Sequence, residues 1–135
     1  MDMEITFPGG LAVAANFKGF TVVTDQPVTV GGADSAPTPF DLFFSAIGTC
    51  GGLYALRFCQ QRGLDTSGLS VRLRTEEEEG RVSAVRLEVL LPETFPEKYR
   101  DAIVRAVDHC TVKRHILEAP RFEITALIAQ AAGVN

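Results

Sequence analysis

Ala36-Pro37-Thr38-Pro39-Phe40-Asp41-Leu42-Phe43-Phe44-Ser45-Ala46-Ile47-Gly48-Thr49-Cys50 is the stretch from which the fold can be read. Thr38 is a capping residue, Pro39 suits the first helical position, and Asp41 stands where a capping-box acid reaches back to the cap. A long helix is therefore expected to start here and run to about Arg62. Leu42, Phe43, Phe44, Ala46, Ile47, Leu53, Tyr54, Ala55, Leu56 and Phe58 surround its axis instead of forming one stripe. The helix should then be the central element, buried on nearly every side.

Upstream, Met3 to Phe7 and Leu11 to Phe17 flank Pro8-Gly9-Gly10, and Phe20 to Thr24 follows Lys18-Gly19. That pattern predicts an antiparallel meander. Gln26 to Ala36 carries Pro27 and Gly31-Gly32 without periodicity and reads as a connecting loop. Downstream of Gly63, Leu69, Val71 and Leu73 alternate with polar residues, as do Val85, Leu87, Val89 and Leu91, predicting two half-buried strands. Glu76 to Glu79 and Gly80 then form a solvated acidic hairpin tip. Pro96 opens a second helix with Tyr99, Ile103, Val107 and Cys110 on its inward face. A helical turn follows from Val112 to Glu118, and Phe122, Ile124, Ala126 and Ile128 alternate as a closing strand. The class is α+β, with antiparallel sheets around a long helix.

The 135 residues fit one domain, 1–135, and the 46% hydrophobic and 22% charged fractions are those of a globular chain. A formal net charge of −4 disfavours nucleic acid and anionic membrane as partners, since both demand a surplus of Lys and Arg. No basic region followed by an apolar one opens the sequence, and no run approaches the roughly 20 apolar residues of a membrane span. A cytoplasmic location and a small-molecule partner are expected.

The cysteines, Cys50, Cys59 and Cys110, make no C-x-x-C pattern, and no metal or cofactor is expected. Cys59 lies nine positions from Cys50, about half a turn round a helix, so these two thiols face opposite ways. Cys110 points from another helix into the same interior and approaches Cys50 if the two helices pack together. Buried, unreactive thiols are the alternative for all three.

The segment Ala36 to Cys50 resembles the first-cysteine segment of the OsmC/Ohr family, a proline-acid start running down a helix to cysteine. Asp108-His109-Cys110-Thr111-Val112-Lys113-Arg114, followed by Pro120, resembles the family's second-cysteine region, and the element order is similar over nearly the whole chain. The resemblance implies an intertwined homodimer with central helices between the sheets and a pocket at the subunit interface. It implies a thiol-dependent peroxidase of oxidative stress response: Cys50 attacks an organic hydroperoxide, Cys110 resolves the sulfenic acid to a disulfide, and an external dithiol restores both thiols. Phe43, Phe44, Ile47 and Tyr54 would wall the substrate pocket.

Cys50 lies too deep in its helix for the N-terminal dipole to help its thiolate, so a cation is called for. In the family, an arginine from the N-terminal β region pairs with a glutamate before the first cysteine. Here Met1 to Cys50 contains no arginine. Lys18, Asp41, Arg57 and Arg114 are the candidates for stabilising the thiolate, with Lys113 and His109 also flanking Cys110. Arg57 shares nearly the face of Cys50 but stands about 10 Å along the helix. Two rival readings remain open: a non-catalytic binder using an apolar pocket, and a thiol redox sensor.

Overall fold

Thr38 begins the first helix, α1 (Pro39–Gln61), with both halves of a capping box. Its hydroxyl accepts the Asp41 N–H at 3.1 Å, and the Asp41 carboxylate accepts the Thr38 N–H and hydroxyl, each at 2.9 Å. At the far end Gly63 is left-handed, the Gly63 N–H donates to the Gln60 carbonyl and the Leu64 N–H to that of Cys59. This Schellman arrangement satisfies carbonyls that the last turn would leave unpaired. The computed structural model describes residues 1–129.

One stripe of α1 is buried: Ile47, Gly51, Ala55, Phe58 and Cys59. The expectation of burial all round is corrected, because Phe40 is 59% and Leu53 50% exposed within the single chain. The helix is long and apolar enough, by length and composition alone, to cross a membrane, a test that a core helix also meets, and Asp41, Ser45, Thr49 and Arg57 interrupt its apolar run.

The buried stripe packs on a two-stranded antiparallel sheet, β4 (Ser70–Glu78) and β5 (Arg81–Leu90), and on α2 (Arg100–Asp108). Val71 faces Val89 and Leu73 faces Leu87, turning their side chains to the helix, while Arg72 and Glu88 pair on the outer face at 3.5 Å. The strands meet at Glu79-Gly80, both left-handed, the geometry that matches the twist of a two-residue hairpin. Much of the acidic run thus belongs to β4, and Glu76 pairs with Arg86 at 2.7 Å. Gly51 is the point of closest helix approach: a Cβ there would stand 3.3 Å from Val107 Cγ1. Ala55, Phe58, Cys59, Ile103 and Val107 form the core, with Leu69, Val71, Leu87 and Tyr99 around them.

A 3-10 turn, Glu97–Tyr99, precedes α2, so Pro96 opens a tighter turn before the helix proper. Cys110 lies beyond the end of α2 and caps α3 (Thr111–Leu117). The expected closing strand is not formed. Residues 118–129 have no regular structure, and Phe122, Ile124 and Ile128 are 81%, 95% and 97% exposed. Alternation fixes only which face a strand would bury, and in one chain no sheet edge receives this one.

The N-terminal meander, β1 (Glu4–Gly9), β2 (Ala12–Phe17) and β3 (Phe20–Thr24), has the order expected from the turns. Among the described residues it makes no extensive contact with the helices. It is joined to α1 by an ordered loop folded round Asp25, which is 2% exposed. The Asp25 carboxylate accepts from the Gln26 N–H at 2.8 Å, the Ala33 N–H at 3.2 Å, the Ser35 N–H at 3.1 Å and the Ser35 hydroxyl at 2.6 Å. Gly32 admits the tight crossing: a Cβ on it would lie 1.8 Å from the Gln26 carbonyl oxygen.

Candidate active site

Cys50 stands one turn beyond Ile47 on α1 and is partly exposed, whereas Cys110 is buried completely. The chain reverses at His109 between α2 and α3, and this lays the first turn of α3 against the middle of α1. The backbone N–H groups of Val112 and Thr111 and the thiol of Cys110 are thereby brought to the Cys50 sulfur. Cys110 in turn accepts the Lys113 N–H on its own sulfur at 3.4 Å. Two thiols far apart in sequence therefore meet where two helices touch.

Their environments push them in opposite directions. Burial works against the Cys50 thiolate, but hydrogen bonds from the Val112 N–H, the Cys110 thiol and the Thr111 N–H outweigh it and hold Cys50 below the ordinary thiol range. Burial pushes the Cys110 thiol up, and the neighbouring Cys50 adds to the rise. The pair thus favours negative charge on Cys50 and a proton on Cys110. Cys59 is wholly buried in the core, and burial raises it further than the nearby Arg62 lowers it. Cys59 packs away from the pair, as its position round the helix required.

None of the cations is among the groups acting on Cys50. Lys18 occupies a left-handed position at the β2–β3 hairpin tip. Asp41 is engaged in capping α1, and its bonds from Thr38 lower its carboxyl. Arg57 lines a cleft of about 470 Å³ between α1 and α2, together with Arg62, Arg105 and His109. Arg114 lies exposed in the last turn of α3. Lys113 forms an ion pair with Asp108. The sequence reading sought a charged side chain and missed the Thr111 and Val112 amides, which carry no residue-type signature. Their only trace was the helical turn expected after Cys110.

Phe40, Phe43 and Phe44 cluster at the start of α1, with Phe40 and Phe44 meeting edge to face at 4.7 Å between centroids. Phe43, Phe44 and Ile47 line a groove of about 470 Å³, closed on its other side by Val82, Val85 and Ile116. Ile47 is one turn from Cys50 on α1, but neither Cys50 nor Cys110 lines this groove. Tyr54 is not in it. Its hydroxyl is hydrogen-bonded to that of Thr111 at 3.1 Å, and its ring lines the cleft of Arg57. The four residues grouped by sequence thus divide into two sets on either side of Cys50. A larger cavity of about 740 Å³ lies between β5 and α2, with neither sulfur in its lining. Among the described residues, no three His, Cys, Asp or Glu side chains converge in a way that would hold a metal ion.

A thiol held below its ordinary range beside one held above it has the parts for oxidation at sulfur followed by disulfide closure.

The sequence model of a family described as OsmC-like protein matches residues 32–125, and that span contains both cysteines. Solved structures share the fold. One, from Psychrobacter arcticus 273-4, is assigned by inference as an osmotic stress induced and detoxification response protein; it is 21% identical with a TM-score of 0.67, covering 83% of this chain and 85% of the other. An OsmC-like protein of unknown function from Vibrio cholerae is 13% identical with a TM-score of 0.62, over 84% and 90% of the two chains. A structure from Legionella pneumophila, described as an organic hydroperoxide resistance protein OsmC and predicted redox protein, is 17% identical with a TM-score of 0.50, over 86% and 89%. No curated protein sequence matches the chain.

Proposed function

Because the chain belongs to the OsmC-like family, we propose that it is a thiol-dependent peroxidase that reduces organic hydroperoxides through Cys50 and Cys110. The observation that carries this reading is the meeting of these two thiols with opposite shifts, Cys50 down and Cys110 up. A shared burial alone would have raised both.

In this reaction the Cys50 thiolate attacks the terminal peroxide oxygen. The S–O bond forms as the O–O bond breaks, and the departing alkoxide takes a proton to become an alcohol. Cys50 is now a sulfenic acid, oxidised by two electrons, and the peroxide is reduced by two. The Cys110 sulfur then displaces water from it, giving a disulfide. An external dithiol returns both thiols by exchange and leaves as its own disulfide. The apolar groove of Phe43, Phe44 and Ile47, on the same helix as Cys50, supports the preference proposed here for organic hydroperoxides over hydrogen peroxide.

The working protein is proposed to be a homodimer of the single 1–135 domain, acting in the cytoplasm. Three scattered cysteines without a disulfide framework suit a reducing compartment. The exposed apolar side of α1 and the unpaired Phe122 to Ile128 segment suit a second copy.

The test is steady-state consumption of an aromatic and a fatty hydroperoxide with a dithiol, for wild type, Cys50→Ser, Cys110→Ser and Cys59→Ser. Turnover should vanish with Cys50→Ser and persist with Cys59→Ser. Fully reduced wild type that consumes neither peroxide would overturn the assignment.

A further inference from the structure

We infer that Tyr54 is a positioning residue: its hydroxyl, bonded to that of Thr111, clasps the first turn of α3 to α1 and so holds the Thr111 and Val112 amides on the Cys50 sulfur. The inference rests on the proposed chemistry of Cys50 and supplies what replaces a cationic side chain there.

The geometry is local. Tyr54 follows Cys50 by four residues, which places both on one face of α1 a single turn apart. Thr111 is the first residue of α3 and directly follows Cys110. The Tyr54 and Thr111 hydroxyls stand 3.1 Å apart, a tie between the helices that involves neither thiol. Apart from the Thr111 and Val112 N–H groups at the Cys50 sulfur, the other bonds of this turn are internal to the α2–α3 corner. The His115 ring Nδ1 donates to the Thr111 carbonyl at 2.8 Å, Lys113 pairs with Asp108, and the Lys113 N–H reaches the Cys110 sulfur at 3.4 Å. They give the corner its shape without fixing its distance from α1. The Tyr54–Thr111 bond does fix it. Backbone amides act on a thiolate only within hydrogen-bonding reach, and a donor drawn back by a fraction of an ångström loses much of its effect. The tie also lasts through the cycle, because oxidation of Cys50 and Cys110 consumes neither hydroxyl.

The experiment is the pH profile of iodoacetamide alkylation at Cys50, followed by mass spectrometry of its peptide, for full-length wild type, Tyr54→Phe, Thr111→Val, Thr111→Ser and the Tyr54→Phe/Thr111→Val double variant. Tyr54→Phe keeps the ring and removes one oxygen, and circular dichroism checks the fold. We expect the midpoint to rise by about half to one pH unit in Tyr54→Phe, which slows Cys50 alkylation below the midpoint about three- to tenfold. Thr111→Val should match it, Thr111→Ser should behave as wild type, and the double variant should be no worse than either single one. A Tyr54→Phe profile that overlays wild type would overturn the inference, as would additive losses in the double variant. Peroxide turnover is read separately. A shifted profile in a protein that consumes no hydroperoxide leaves the clasp standing and removes the peroxidase assignment. An unshifted profile in an active enzyme does the reverse.

Discussion

The sulfur of Cys110 accepts the backbone N–H of Lys113 at 3.4 Å, so the residue assigned to resolve the sulfenic acid is also the N-cap of α3. Serine and threonine normally fill this position, and replacing such a cap with alanine costs about 1 kcal/mol. Cys110→Ser should therefore abolish disulfide closure while keeping α3 in place. Cys110→Ala should abolish it and lower the unfolding free energy by about 1 kcal/mol relative to Cys110→Ser. Urea titration of the two variants side by side checks the difference. Equal midpoints would show that a side-chain acceptor at this cap position contributes nothing to stability.

The thiols should titrate in a fixed order. Cys50, held below the ordinary range of about 8.5, should be alkylated at lower pH than Cys110 and Cys59, both raised. The stability linkage has two signs. Depression at Cys50 contributes stability that is present above the unfolded thiol value and lost as pH falls through the folded one. Elevation at Cys59 and Cys110 does the opposite, so their contribution fades as pH rises above about 8.5. Cys59→Ala should thus flatten the loss of stability between pH 8 and 10, apart from a uniform cost for the cavity left in the core. Chemical denaturation across that window measures it.

Gly32 is the most intolerant position in the connection to α1. An alanine Cβ would lie 1.8 Å from the Gln26 carbonyl oxygen, a clash with backbone that no rotamer relieves. Gly32→Ala should open the loop, release the Ala33 and Ser35 bonds to Asp25, and destabilise the protein by about 3 kcal/mol or more. Gly52→Ala is the control, since nothing lies within 4 Å of its added carbon. Thermal unfolding of the pair should separate them clearly.

The same loop gives the chain an acid-sensitive point. Hydrogen bonds from the Ser35 hydroxyl and the Gln26 and Ser35 N–H groups hold Asp25 at about 2. An unfolded aspartate titrates near about 3.9. Folding is therefore favoured by the ionised carboxylate above that pH, and the contribution is lost as pH falls from about 4 toward 2. Asp25→Asn should be less stable than wild type at pH 6, and the gap should narrow as pH drops through that window. A gap that stays constant would mean that the charge on Asp25 is not what holds the loop.

How far the sequence could be read depended on whether a feature was coded locally. The α1 cap was legible because Thr38, Pro39 and Asp41 specify it within four residues, and the hairpin turns because Lys18-Gly19 and Glu79-Gly80 sit between alternating strands. The approach of Cys50 to Cys110 was readable as a geometric opening, through the inward face of α2. The loop round Asp25 was not, because four donors converge there from residues with no periodic pattern. The donors to Cys50 escaped for a related reason. Every residue but proline carries an N–H, so which ones reach a sulfur is decided by how α3 packs and not by what its residues are.

The exposed side of α1 leads to the last prediction. Leu53 and Leu56, 50% and 37% exposed, lie across the axis from the buried stripe of Gly51 and Ala55. The meander makes no extensive contact with the helices, and Phe122, Ile124 and Ile128 alternate in the open. A chain with so much apolar surface uncovered gains by placing a second copy against it, since each fully buried leucine contributes about 2 kcal/mol. Sedimentation should therefore give twice the mass of the chain for wild type. Leu53→Glu would have to bury an unpaired carboxylate in that contact, which costs several kcal/mol, and should shift the protein toward monomer or aggregate. A wild type that sediments as a monomer at micromolar concentration would mean that the open face of α1 is covered by something other than its own copy.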